Sequence, residues 1–417
     1  MDQEIAISMN LRNYLVFAVL SGAACGSGDH APIDAAFVDA SFSFVDVLPA
    51  SGGNLPVDSA RVVDALLSED TGPLDVASLE AATEYDAAVA VACNPSVLGP
   101  SPPVLLSQTG CFEPGKPGQP IAAFFPYEVN SPLWSDGAVK SRFLLVPPGT
   151  IIQVKDCDLS PELCLPVNQG GTPEDEGHFD LPVGAILIKN FVLQDKLIET
   201  RLLIRASATL WNGYSYEWNE EASEATLLSD FKNRTVGDQV WRYPSQRDCL
   251  QCHTAAAGRS LGPTTSQLDR VTSAGNQLDR LVALGWLATR PKALAPYLDP
   301  RRAGPVADRA RAYLQSNCSF CHRPAGPFSD MDLRYVTSLL NMKVCNVQTV
   351  RGVVDPNVPP VRLVPGEPEV SAISVRMHNR SGYAMPKLGS NLVDPEGMAV
   401  VDQWIREISV CPLAPPS

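Results

Sequence analysis

The sequence predicts an α+β chain of several domains: a β-rich part of sandwich or jelly-roll type, followed by a helical part. Three observations lead there. From about residue 93 to 244, short runs alternate apolar and polar residues between Gly, Pro and Asn turn signals. From about residue 245 the apolar spacing changes to three and four. That second part also holds two C-x-x-C-H pentads, Cys249 to His253 and Cys318 to His322.

Residues 1–25 read as an export signal. Leu15 to Leu20 is an apolar core too short to span a bilayer, and small residues lead from it to Cys25. This resembles a bacterial lipoprotein cleavage site with Cys25 as the lipidated residue; a plain secretory signal cleaved nearby is the alternative. The expected location is the periplasm, or the outer membrane by way of a lipid anchor. Residues 26–92 form an acidic, low-complexity tether. Asp29 to Ala92 carries nine Asp, three Glu and one Arg, a net −11 of the chain's −14. An acidic chain with no basic stripe is a poor nucleic-acid binder, so none is expected.

Over residues 93–244, Lys196 to Arg205 places Ile198, Thr200, Leu202 and Ile204 on one face and Glu199, Arg201 and Arg205 on the other. That predicts a half-buried strand. Ala185 to Leu193 predicts a more fully buried one, and Tyr214, Tyr216 and Trp218 alternate in the same way. Turns are expected at Pro147-Pro148-Gly149, Gly170-Gly171 and Asn212-Gly213. Several short strands so punctuated give the sandwich or jelly-roll expectation.

Residues 245–300 form the segment around the first pentad. Leu278, Leu281, Val282 and Gly285 line a helix after it, and no helix is evident before Cys249. Residues 301–417 carry clearer signals. Val306, Ala310, Tyr313 and Leu314 share a helix face that runs into Cys318, with Pro305 suited to its first turn. Asp394 is a good N-cap with Pro395 at the first helical position, and Val401, Trp404, Ile405 and Ile408 make an apolar stripe.

The pentads carry the chemistry. C-x-x-C-H is the attachment signature of a c-type haem: two thiols add to the haem vinyl groups as thioethers, and the histidine becomes the proximal iron ligand. The expected cofactors are two covalently bound haem c groups, one on Cys249, Cys252 and His253, the other on Cys318, Cys321 and His322. A zinc site or a redox dithiol would not require histidine directly after both pairs. Met385, just before the last helix, is the expected distal ligand of the second haem, with Met377 and His378 as rivals. No methionine lies between His253 and Cys318. The first haem therefore takes its distal ligand from elsewhere, such as His178, or keeps an open iron.

Six cysteines remain, and an oxidising compartment pairs them. Proximity favours Cys157 with Cys164, Cys93 with Cys111, and Cys345 with Cys411. The aromatics Trp134, Trp211, Tyr214 and Trp218 are either core or a carbohydrate-binding surface.

Several motifs occur in order: Phe125 to Ala138 (F-P-Y-E-V-N-S-P-L-W-S-D-G-A), Leu181 to Gly184, Ile198 to Arg201, Tyr216 to Asn219, both pentads, and Arg380 to Gly389. On these the chain resembles bacterial dihaem c-type cytochromes, a module also found fused to propellers similar to PQQ-dependent sugar dehydrogenases. The resemblance spans roughly residues 100–410. It implies a helical, class I cytochrome c-like haem-binding region after the β-rich part, and electron transfer with a redox partner such as a dehydrogenase or another cytochrome. No propeller is present, so dehydrogenase activity does not follow. Members of the family often carry His at the position of Asn190. A dihaem peroxidase-like oxidoreductase with an open first haem, and a carbohydrate- or protein-binding module with accessory haems, are the alternatives.

Overall fold

In this computed structural model the described residues are 93–95, 98–99, 101–155, 177–291, 295–350 and 360–413. The expectations for Cys25, the tether, Gly170-Gly171 and the Cys157–Cys164 pair lie outside them. Among the described residues, no helix is long and apolar enough to cross a membrane.

The alternating runs become one antiparallel sheet of six strands. Its strands are β1 (Phe125–Tyr127), β2 (Val139–Leu145), β5 (Ile186–Leu193), β6 (Lys196–Arg205), β7 (Trp211–Trp218) and β8 (Ala225–Leu227), in that order across the sheet. Between β2 and β5 in sequence lies a ribbon of β3 (Gln153–Lys155) and β4 (His178–Asp180); a hairpin of β9 (Lys232–Val236) and β10 (Gln239–Tyr243) follows β8. The molecule is therefore mixed α/β with one large sheet and small ribbons, in place of the two comparable sheets of a jelly roll.

Strand β6 has the expected span, but it is buried on both faces: Glu199 and Thr200 are 0% exposed. One face packs Ile188, Leu202, Ile204 and Tyr216 under the N-terminal segment, with Leu98, Leu106 and Phe112. The Cys93–Cys111 disulfide lies in this core. The other face packs Leu144, Leu187, Leu203 and Trp211 against Leu278 and Leu281 of a helix at Gln277–Ala283 and, further along, Phe191 against Trp241 and Tyr243 of the hairpin. A period of two cannot distinguish a solvated second face from one covered by other elements. The aromatics follow from this. Trp211, Tyr214 and Trp218 are 4–6% exposed, so they are core and not a carbohydrate surface.

Three helices matter for the site. Helix α1 (Gln246–Cys252) contains the first two cysteines of the first pentad; α2 (Val306–Asn317) runs into Cys318; α3 (Pro395–Glu407) is the last. The side chain of Asp394 caps α3 by accepting from Gly397 N. Helices α2 and α3 pack through Tyr313 and Leu314 against Val401, Trp404 and Ile405. Gly397 is required at that crossing, because a Cβ there would lie 2.1 Å from the Tyr313 ring. The Cys345–Cys411 disulfide closes this region.

Hydrogen bonds tie the helices to the sheet region. Ser131 donates to Ala312 O at 2.9 Å, and Asn317 Oδ1 accepts from Trp134 N at 2.8 Å. The buried Asp136 carboxylate accepts from the backbone N–H groups of Asn391 and Leu392 at 2.9 Å.

Candidate functional site

Helix α1 forms because Ser245 and Asp248 make a capping box: Ser245 Oγ accepts from Asp248 N at 3.2 Å, and Asp248 Oδ2 accepts from Ser245 N at 3.1 Å. This S-x-x-D signal stands in the sequence and marks a helix that apolar periodicity misses, since α1 is only two turns long. The helix lies directly on β7. Asn212-Gly213, expected as a turn, sits within that strand instead. The reason is close approach: a Cβ on Gly213 would lie 2.9 Å from Cys249 Cβ and 3.3 Å from its Sγ.

The first pentad opens into a cavity of about 1660 Å³, counting its mouth. Cys249, Cys252 and His253 line it, and so does His178. The His178 ring packs over Gly258, whose backbone φ of 69° and lack of a side chain make the room. The sequence-predicted partners His178 and His253 thus share one cavity. Asn190 does not join them. It points to the opposite face of β5, where its amide donates to Gly118 O at 2.6 Å and its Oδ1 accepts from Thr200 at 2.7 Å.

The second pentad opens into another cavity, about 1170 Å³ with its mouth. Cys318, His322, Met377 and Met385 line it. His378 does not: it is exposed and pairs with Asp402 at 2.8 Å. Both methionine candidates therefore face His322's cavity, and the histidine rival points away.

The two cavities adjoin. Ser319, Phe320 and Arg323 of the second pentad's segment line the first cavity, while Cys318 and His322 line the second. The loop after the short helix at Ala372–Met377 alternates likewise: Met385 and Lys387 face the second cavity, Pro386 and Leu388 the first. Cys252 and Cys321 come close enough across this wall to shift each other's thiol, Cys252 up and Cys321 down. Arg323, 4% exposed, ties the segments by donating to Ser319 O at 2.6 Å and Ala256 O at 2.9 Å.

The chain matches no family model, no curated protein and no solved structure.

The electrostatics of both pentads suit neutral ligands. Burial, with Lys189 nearby, pushes the His253 imidazole down to about 4. Burial does the same at His322, again to about 4, opposed by Asp330 and the Phe328 backbone. Each ring is thus neutral at pH 7 and keeps a lone pair for a metal. His253 Nδ1 faces the carbonyl of Arg259, a bond that leaves Nε2 as the nitrogen available to a ligand. Burial raises the Cys249 thiol, and pushes Cys318 up to about 12. The neighbouring Cys321, together with burial, raises the Cys252 thiol.

Among the described residues no three His, Cys, Asp or Glu side chains cluster as a metal site. The donor set is two thiols and one neutral imidazole lining a cavity at the first pentad, and Cys318 with His322 at the second, where Cys321 lines neither cavity. It fits a tetrapyrrole, which brings its own four nitrogens and asks the protein for axial ligands and thioether links.

Proposed function

We propose that this chain is a dihaem c-type cytochrome that transfers electrons in an exported compartment, accepting them from a dehydrogenase or another cytochrome. One observation supports this above the rest: each C-x-x-C-H segment opens into its own cavity, and the second segment forms the wall between the two. Such adjacency suits passage of charge from one centre to the other.

Haem c, when bound, supplies one-electron iron chemistry whose potential follows its axial ligands. The chain's residues hold it. Cys249 and Cys252, and Cys318 and Cys321, are the attachment thiols; His253 and His322 are the proximal ligands. The Arg259 carbonyl fixes the His253 tautomer. Met385 is the distal ligand at the second site, on a loop anchored at its far end by Asp136. At the first site His178 is the candidate, and no methionine lines that cavity. The missing thioether favours a second reading, a peroxidase-like oxidoreductase with an open first iron. Turnover of hydrogen peroxide with a reduced donor separates the two.

The proposed function is tested by intact mass and a pyridine haemochrome assay on protein made with a c-type maturation system. Two covalent haems are expected, falling to one in Cys249→Ala/Cys252→Ala and in Cys318→Ala/Cys321→Ala. A wild-type protein without covalent haem overturns the reading. Membrane fractionation and N-terminal mass spectrometry test the accompanying proposal that Cys25 anchors the protein by lipid.

A further inference from the structure

Tyr127, Arg142, Lys189, Arg201 and Ser215 stand in register across β1, β2, β5, β6 and β7. Residues in register project to one face of a sheet, and here that face carries α1. Three consecutive members of the rung are cations, although like charges directly opposite each other destabilise a sheet. Arg142, Lys189 and Arg201 all line the first cavity.

Only Arg201 has a carboxylate. Glu199 accepts from its Nε at 2.7 Å and from a second guanidinium nitrogen at 2.9 Å. Glu199 is then saturated by Ser215 at 2.7 Å and Trp241 Nε1 at 2.9 Å. Among the described residues the Arg142 guanidinium donates only to Lys140 O, at 3.4 Å, and the Lys189 side chain has no hydrogen bond or ion pair. The other charges nearby are engaged elsewhere. Lys140, a further cation beside the rung, donates to Leu133 O at 2.6 Å, Arg242 pairs with Asp248 at 3.6 Å, Arg323 donates to carbonyls, and Glu128 is taken by Arg270 at 2.8 Å. Three cations against one carboxylate leave two positive charges uncompensated in the cavity wall. Arg142 and Lys189 are half-buried, and an unpaired charge partly withdrawn from bulk water is costly unless something pairs it. Burial and the flanking Arg142 and Arg201 push the Lys189 ammonium down to about 7, as expected of a cation held without a counter-charge.

We propose that Arg142 and Lys189, backed by Arg201, form a binding site for the oxyanion groups of a ligand, of carboxylate or phosphate type. A guanidinium beside an ammonium suits this chemistry, the one by its planar fork and the other as a point charge. Two sources carry such groups: the carboxylates of a porphyrin held at Cys249 and Cys252, or a free oxyanion entering the cavity. Only the first source rests on the haem reading.

The test uses the holoprotein and its Lys189→Gln and Arg142→Gln variants, on different strands so that either suffices, with Lys189→Arg as the charge-keeping control. Each glutamine variant removes one of three mutually repelling cations. If nothing anionic pairs with the rung, removal relieves repulsion and Tm rises; that result overturns the proposal. If the rung holds an anion, Tm falls in the glutamine variants and is kept in Lys189→Arg. The source is read from two further measurements. For porphyrin carboxylates, one of two midpoint potentials falls in the glutamine variants while both haems remain by intact mass, and exchanging chloride for phosphate changes nothing. For a free oxyanion, phosphate at equal ionic strength raises the Tm of wild type but not of Lys189→Gln, and both potentials hold. Should wild type carry no haem, the proposed function fails by itself, and the phosphate comparison still decides the rung: equal Tm in phosphate and chloride for both proteins refutes it.

Discussion

Gly213→Ala puts a methyl group into the contact between β7 and α1. The added Cβ would lie 2.9 Å from Cys249 Cβ and 3.3 Å from its Sγ. Carbon atoms rest at roughly 3.5–4.0 Å, so the overlap is about 0.6 Å or more, against the backbone-proximal part of a helix rather than a flexible tip. Relief requires α1 to lift from the sheet. Overpacking of this kind costs ~1–3 kcal/mol. Alanine in a strand recovers roughly 0.5–1 kcal/mol of chain entropy relative to glycine. The net expectation is a loss of up to about 2.5 kcal/mol by difference, together with reduced haem attachment at Cys249 and Cys252 but not at Cys318 and Cys321. Gly382→Ala is the control, because its added Cβ meets nothing within 4 Å. Urea unfolding followed by circular dichroism gives the stability, and intact mass gives haem occupancy site by site. If Gly213→Ala is as stable as wild type or more so, with two haems attached, α1 is not seated on Gly213 and the description of the first cavity is wrong.

Glu199→Gln leaves the cationic rung without its one carboxylate; a loss of ~3 kcal/mol is expected, the low end for a broken buried pair because Arg201 keeps 27% side-chain exposure, and a loss under ~1 kcal/mol in urea titration would contradict the assigned network. Met385→Ala should abolish the sulfur–iron charge-transfer band and lower one midpoint potential with both haems retained; persistence of the band moves the assignment to Met377. Asp136→Ala removes the acceptor that holds the backbone of Asn391 and Leu392, so it should weaken the same band without touching the sulfur. His253 and His322 are pushed down to about 4 in the fold, whereas the unfolded chain protonates near pH 6.5. A group with a lowered folded pKa costs stability as the unfolded state takes up protons first, so Tm should fall as pH drops from about 6.5 toward 4; a Tm that is flat between pH 7 and 5 would refute neutral, buried imidazoles.

The sequence by itself determined what depends on neighbours along the chain. The two pentads, the span of β6, the apolar faces of α2 and α3, the Asp394 cap and the Cys93–Cys111 pair were all legible, because they rest on spacings of a few residues or on short closed loops. It also offered Met385, with Met377 and His378 as rivals, and His178 as distal candidates; the fold places Met385 and Met377 in the cavity of His322, His178 in that of His253, and His378 in neither. Only the tertiary structure decided what covers a face. Strand β6 is buried twice, because the N-terminal segment and the α1-bearing side each cover one face, and Gly213 serves a helix approach that no turn signal distinguishes. The juxtaposition of Cys252 with Cys321 was equally invisible, since it joins segments far apart in the chain. So was the rung of Arg142, Lys189 and Arg201. Each of these looks like an ordinary outward-facing charge on its own strand, and inter-strand register alone brings the three together. That register is set by strand pairing, including the shift between Phe191 and Val192, and a slip of one residue would send every one of them to the other face.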